Sequence, residues 1–191
     1  DTLVGGTGTD TLTASFAAAH TATVNSTGIE VFNLTTTTGA TTLNFASATD
    51  ITKITNTGST ADLTLNNIGS IPTSVDINTD NGNTTTINFK DSAMSGTSDD
   101  FLINLDGVTG TIAVTRTAGA SNTLETISLN SKSVTNTIAD LQTTGATTKL
   151  EITGDQALVI TAALDNDVVT IDGSAATGAL TFTTGTGTVT A

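Results

Sequence analysis

Asp1, Gly6, Gly8, Asp10, Asp165, Asp167 and Asp172 are the positions whose types and spacing could hold a metal ion. The first four lie in or just before Gly5-Gly6-Thr7-Gly8-Thr9-Asp10-Thr11-Leu12-Thr13. This stretch fits the nonapeptide G-G-x-G-x-D-x-U-x, with Leu12 as its large apolar residue. Glycines enter turns closed to other residues, and such turns expose backbone carbonyls. The carbonyls of Gly6 and Gly8 and the carboxylate of Asp10 are hard oxygens, the ligand type that Ca²⁺ takes. Asp1 precedes Asp10 by nine residues, as Leu3 precedes Leu12, so Asp1 reads as the counterpart of Asp10 in a preceding unit. One turn cannot complete an oxygen cage, so a second stacked unit is needed. Near the other end, Asp165-Asn166-Asp167 alternates acidic side chains at a strand start, and a turn at Gly173 brings Asp172 into range. A solvated acidic loop is the alternative reading of that cluster.

Other clusters carry less chemistry. Asp99-Asp100 with Asp106 is a third acidic group. Asp76-Ile77-Asn78-Thr79-Asp80 starts like an EF-hand loop, but Asn81 stands where that loop needs Gly and Ile87 where it needs Glu. A turn capped by its own Asn and Asp side chains is the simpler reading. His20 is the single histidine and cysteine is absent, so the usual zinc ligand sets are missing. No G-x-S-x-G nucleophile elbow occurs. No catalytic constellation is readable, and the expectation is a non-enzymatic chain.

The elements that must position these residues are short strands. Alternating apolar and polar residues run through Thr21–Asn25, Ile29–Leu34, Thr41–Phe45, Asp62–Asn66, Ser74–Asn78, Thr84–Phe89 and Asp100–Leu105. The pattern continues at Thr111–Thr115, Leu124–Leu129, Thr148–Ile152, Ala157–Thr161, Asp167–Ile171, Leu180–Thr183 and Thr188–Thr190. Gly, Asn, Asp, Ser and Thr clusters separate them about every ten to twelve residues, the spacing of an all-β sandwich or solenoid. Two short segments, Ser15–His20 and Ser133–Leu141, are the helix candidates, and neither is long enough to stand alone. Pro72 sits at a strand start, where its missing N–H is tolerated.

Composition narrows the class. About a quarter of the 191 residues are Thr, charged residues make up 12% and aromatic residues 3%, all of them Phe. Abundant β-branched residues favour strands. So few aromatics, with no Trp, suit a narrow solenoid better than a two-sheet immunoglobulin-like core. The expected fold is all-β, a right-handed parallel β-solenoid or β-roll-like stack, with a β-sandwich as the alternative. Outward Thr on neighbouring coils can form ladders. The formal net charge is −13, from 18 acidic and 5 basic residues, and Lys53, Lys90, Arg116, Lys132 and Lys149 are scattered singly. No basic stripe tracks a phosphate backbone, so nucleic acid is not an expected partner. No apolar run reaches membrane-spanning length. Without cysteine, disulfide frameworks are excluded.

The nonapeptide resembles the calcium-binding RTX, or hemolysin-type, repeat. Two further phrases, Thr27-Gly28-Ile29-Glu30-Val31-Phe32-Asn33-Leu34 and Val169-Thr170-Ile171-Asp172-Gly173-Ser174-Ala175-Ala176-Thr177-Gly178-Ala179-Leu180-Thr181, are similar to segments of RTX-bearing bacterial surface-layer proteins of the Caulobacter type. The resemblance implies a β-roll in which each ion lies between turns of successive coils. It implies Ca²⁺ as cofactor, type I secretion, a place on the bacterial cell surface, and self-association into a lattice. Contact with cell-surface polysaccharide through other regions, and no direct membrane insertion, belong to the same expectation. On this reading residues 1–13 end an RTX calcium roll. Residues 14–191 form a Thr-rich solenoid domain, an internal piece of a larger protein. An RTX adhesin segment, or the calcium-binding non-catalytic part of a secreted enzyme, are the alternatives.

Overall fold

A computed structural model describes residues 1–119, 121–143 and 147–186. It shows a right-handed parallel β-solenoid of about eight turns. Strands are numbered in chain order. The long sheet holds β2 (Thr11–Phe16), β4 (Val31–Thr36), β6 (Lys53–Thr57), β8 (Ser74–Asn78), β10 (Asp100–Asp106), β12 (Thr126–Ser131), β15 (Lys149–Gly154) and β17 (Thr170–Ala176). The second sheet holds β1 (Leu3–Val4), β3 (His20–Thr27), β5 (Thr41–Ala48), β7 (Leu63–Ile68), β9 (Thr84–Phe89), β11 (Thr111–Arg116) and β14 (Asp140–Thr143). A third, short sheet of β13 (Asn136–Ile138), β16 (Leu158–Ala163) and β18 (Leu180–Thr183) flanks the last coils. Every described pairing is parallel, which sets the sandwich alternative aside.

The chain passes from one sheet to the other and back, so each turn signal marks half a coil. Register partners on the long sheet are 20 residues apart at the start, Leu12 beside Phe32, and 28 apart in the middle, Val75 beside Ile103. Inward residues of each strand stack on those of the next. Phe32, Ile54, Val75, Ile103, Leu129 and Ile152 form one such column and are almost fully buried. Each contributes about 1.5–3 kcal/mol of burial. The coil interior is narrow, and its aromatics bridge the sheets in edge-on pairs. Phe32 meets Phe45 at 5.3 Å and Phe89 meets Phe101 at 5.1 Å between ring centres.

Outward columns are polar and in register. Thr21, Thr42, Thr64 and Thr86 follow one another across the second sheet. Thr13, Asn33, Thr55, Asp76, Asn104, Asn130, Thr153 and Ala175 do so across all eight strands of the long sheet. Side chains in that column bond along it: the Asn130 amide donates to Asn104 at 2.8 Å, and the Asn104 amide to Asp76 at 2.7 Å.

Both helix candidates fold otherwise. Ser15 and Phe16 end β2, and His20 opens β3. Ser133–Leu141 spans β13 and the start of β14. The chain changes sheet between them, and Ile138 and Leu141 are both buried. The one helical element among the described residues is a 3₁₀ turn, Asp91–Met94, which buries Met94. Thr188–Thr190 lies outside the described residues. β2 crosses the expected boundary between residues 13 and 14 and pairs with β4 along its whole length.

Candidate functional site: the carboxylate corners

The corners that feed strands of the long sheet carry Asp10, Asp99, Asp165 and Asp167 of the acidic residues singled out above. In the first corner the chain leaves β1 at Gly5 and enters β2 at Thr11. Gly5 donates its N–H to the Thr27 carbonyl at 2.9 Å, which lays this corner directly on the next one. A Cβ on Gly5 would come within 1.5 Å of the Gly28 carbonyl oxygen, so only glycine permits the approach. Gly8 takes a left-handed φ of 111°. The Asp10 Oδ2 accepts the Gly6 N–H at 2.7 Å. The Asp10 N–H donates to Glu30 Oε2 at 2.7 Å, and the Asp10 carbonyl accepts from Glu30 and Val31, both at 3.1 Å. Glu30 occupies the same place one coil later, and its carbonyl accepts from Thr52 and Lys53 at 2.9 and 3.0 Å.

The fifth corner repeats this arrangement without the nonapeptide. Asp99 Oδ2 accepts the Gly96 N–H at 3.0 Å, and the Asp99 N–H donates to Glu125 Oε2 at 2.8 Å. The Thr123 hydroxyl donates to the other Glu125 oxygen at 2.7 Å. Burial pushes the Glu125 carboxyl up, but the hydrogen bonds from Asp99 and Thr123 outweigh it and hold the group below the usual glutamate range. Asp99 therefore belongs to a corner. Asp100 points outward from β10, and Asp106 lies at the far end of that strand.

Elsewhere the carboxylates also serve the backbone. Asp50 accepts the Gly28 N–H at 3.0 Å and the Thr49 hydroxyl at 2.7 Å, and these bonds, Thr49's first, lower its pKa. Asp91 accepts the Ser121 and Asn122 N–H groups, both at 2.8 Å. Asp80 is 1% exposed and takes the Thr109 N–H at 2.7 Å and the Gly110 N–H at 3.1 Å. The stretch around Asp80 is thus a buried clasp between coils, in agreement with the turn reading. Asp76 points outward among Lys53 at 2.7 Å, Ser74 and Asn104. Burial raises its pKa, but Lys53 and the hydrogen bonds from Asn104 and Ser74 win and lower it.

The site residues expected near the second end do not converge. Asp165 Oδ2 reaches back to the preceding coil and accepts the Thr143 N–H at 2.7 Å and its hydroxyl at 2.8 Å. Asp167 is exposed. Asp172 stands on the outer face of β17, beside Glu151 in register, and accepts the Ser174 hydroxyl at 2.6 Å and N–H at 3.0 Å. Those bonds lower its pKa. Asp1 precedes β1 and lines the open end of the core with Leu3 and Leu12, whereas Asp10 sits past the other end of β1. Among the described residues no group of three or more His, Asp or Glu side chains could hold a metal ion.

Sequence reasoning missed the part played by Glu30 and Glu125. Each lies just before a strand of the long sheet and one coil after an Asp at the same place. Only the coil length, 20 residues in one case and 26 in the other, would have linked them.

No protein-family model, curated protein or solved structure matches this chain.

Proposed function

We propose that this chain is a structural module of a secreted, calcium-dependent bacterial surface-layer protein that self-assembles into a lattice. One observation carries the reading. Among the described residues the long sheet runs through eight parallel strands, from β2 to β17. Such a stack is a stiff rod whose stability comes from neighbour-to-neighbour contacts. The RTX-like nonapeptide and the two surface-layer-like phrases support the same reading. So does the acidic outside, which favours divalent cations.

Calcium fits the first corner only in part. Asp10 gives Oδ2 to Gly6, so the corner offers its Oδ1 and the Gly6 and Gly8 carbonyls. That falls short of the roughly six to eight oxygens Ca²⁺ takes. The corner is half a cage, and a coil stacked beyond β2 would supply the other oxygens. There Ca²⁺ would neutralise carboxylates that otherwise repel, and so couple ion binding to stacking.

The test is a calcium titration of the purified chain, read by circular dichroism, thermal melting and negative-stain microscopy. A rise in melting temperature together with planar arrays is the expected result. Stabilisation with single rods or fibres points to an adhesin segment. No change at about 10⁻³ M Ca²⁺, the range of extracellular modules, overturns the calcium reading.

A further inference from the structure

We infer that Asn81 is a site of spontaneous deamidation, and that its conversion loosens the clasp that joins the central coils. The inference is independent of calcium, secretion and lattice assembly. Asn81-Gly82 is the one Asn-Gly step in the sequence. The two residues form the centre of a turn between β8 and β9, closed by the Asn83 N–H, which donates to the Asp80 carbonyl at 3.2 Å. Both have positive φ, 48° at Asn81 and 84° at Gly82, as a type I′ turn requires.

Asparagine is among the thermolabile residues. The reaction needs its carboxamide, the next backbone nitrogen and room for the two to meet. The Gly82 nitrogen attacks Cγ of Asn81, and the new N–Cγ bond closes a succinimide ring. The Cγ–Nδ2 bond breaks, and the side-chain nitrogen leaves as ammonia with the proton that Gly82 gives up. Water then opens the ring at either carbonyl. One product is aspartate. The other is isoaspartate, in which the main chain runs through the former side chain and is longer by a methylene.

The fold singles out this asparagine. Asn81 and Gly82 are both exposed. The Gly82 N–H makes only a long contact, 3.4 Å, with Asp80 Oδ1, and no atom lies within 4 Å of where a Gly82 Cβ would stand. An exposed turn opens locally without breaking the strands beside it. Asn25-Ser26 and Asn130-Ser131 also have a small residue next in the chain, but Ser26 and Ser131 are wholly buried in paired strands. The carboxamides of Asn56, Asn83 and Asn136 are held by hydrogen bonds. The consequence follows from the neighbours. Asp80 accepts the Thr109 and Gly110 N–H groups of the next coil at 2.7 and 3.1 Å, and Asn83 donates its carboxamide to the Ser59 carbonyl of the preceding coil at 3.2 Å. The turn thus ties three successive coils, and an added methylene between Asp80 and Asn83 moves both ties.

The test ages the native chain and Asn81→Gly for weeks at mildly alkaline pH, where the Gly82 nitrogen gives up its proton more readily. Glycine suits the positive φ and has no carboxamide, so Asn81→Gly keeps the turn and blocks the reaction. Intact mass and peptide mapping read the exchange of an amino group for a hydroxyl, and enzymatic methylation reads isoaspartate. The native chain should convert at Asn81 at least roughly ten times faster than at any other asparagine, and Asn81→Gly should not change at that turn. The aged native chain should then unfold at lower urea than aged Asn81→Gly. Fresh Asn81→Asp, which adds the charge without the methylene, should unfold like the fresh native chain. Conversion spread evenly over the asparagines, or none at Asn81, overturns the inference. Conversion at Asn81 with no loss of stability, or an equal loss in fresh Asn81→Asp, overturns the role given to the lengthened turn.

Discussion

The first and fifth corners make the same hydrogen bonds with different sequences. In one, Gly6, Asp10 and Glu30 form the link, and in the other Gly96, Asp99 and Glu125 do. Only the first sits in an RTX-like nonapeptide. The shared part is a carboxylate that accepts a backbone N–H of its own turn and offers its own N–H to a carboxylate one coil on. That work needs no ion. The difference lies in position: the fifth corner has described coils on both sides, whereas the first belongs to β2, the outermost described strand of the long sheet. A motif can thus hold a coil and also await a ligand, and the two roles separate by comparing the corners.

The largest expected contrast comes from two glycines in similar contacts. A Cβ on Gly110 would come within 1.8 Å of the Asn83 carbonyl oxygen, much as one on Gly5 would meet Gly28. Gly110→Ala forces two central coils apart and should cost about 3 kcal/mol or more. Gly5→Ala should cost less, because an end coil can open locally. Urea unfolding of both variants measures this, and equal losses would show that the first coil is as firmly held as the middle.

Asp80→Ala comes next. It leaves the buried Gly110 N–H and the part-buried Thr109 N–H without their acceptor, with an expected loss of about 2–3 kcal/mol in the same assay. Glu125→Ala removes bonds at a more open corner and should cost about 1 kcal/mol. If the order of these two reversed, the corners and not the buried clasp would dominate coil stacking.

Acid should act on the same bonds. Asp76 and Glu125 have lowered pKa values in the fold, as do Asp50 and Asp172. The unfolded chain then binds more protons than the folded one between the two sets of values. Stability from these groups is fully present above the ordinary carboxylate range, about pH 4, and falls as pH drops below it. Thermal melts from pH 6 to pH 2.5 should show a plateau and then a decline. A decline that begins near pH 6, well above the carboxylate range, would contradict this account.

Much of the fold was legible because strand alternation depends only on which face is buried. Most of the expected strands overlap observed ones. The coil repeat was not legible, because corner lengths vary from the single residue Ala139 to the ten of Lys90–Asp99. β6 escaped notice for a physical reason. Its sequence Lys-Ile-Thr-Asn-Thr has one apolar residue, and its second inward position is Asn56, buried and bonded to Thr85 and Ser59. A polar residue satisfied inside a coil looks like a surface residue in sequence. The turn contact between Asp10 and the Gly6 N–H follows from local spacing. The candidate site was not legible across coils, where Asp165 turned out to serve Thr143 of the preceding coil.

The most direct measurement is the calcium dependence of the melting temperature for the native chain, Asp10→Asn and Asp99→Asn, at a protein concentration where copies meet. Without calcium the two variants should lose similar, small amounts of stability. With calcium at about 10⁻³ M the native chain and Asp99→Asn should gain, and Asp10→Asn should not. An equal gain in all three, or no gain in the native chain, would contradict a calcium role for the first corner and leave it a hydrogen-bonded turn like the fifth.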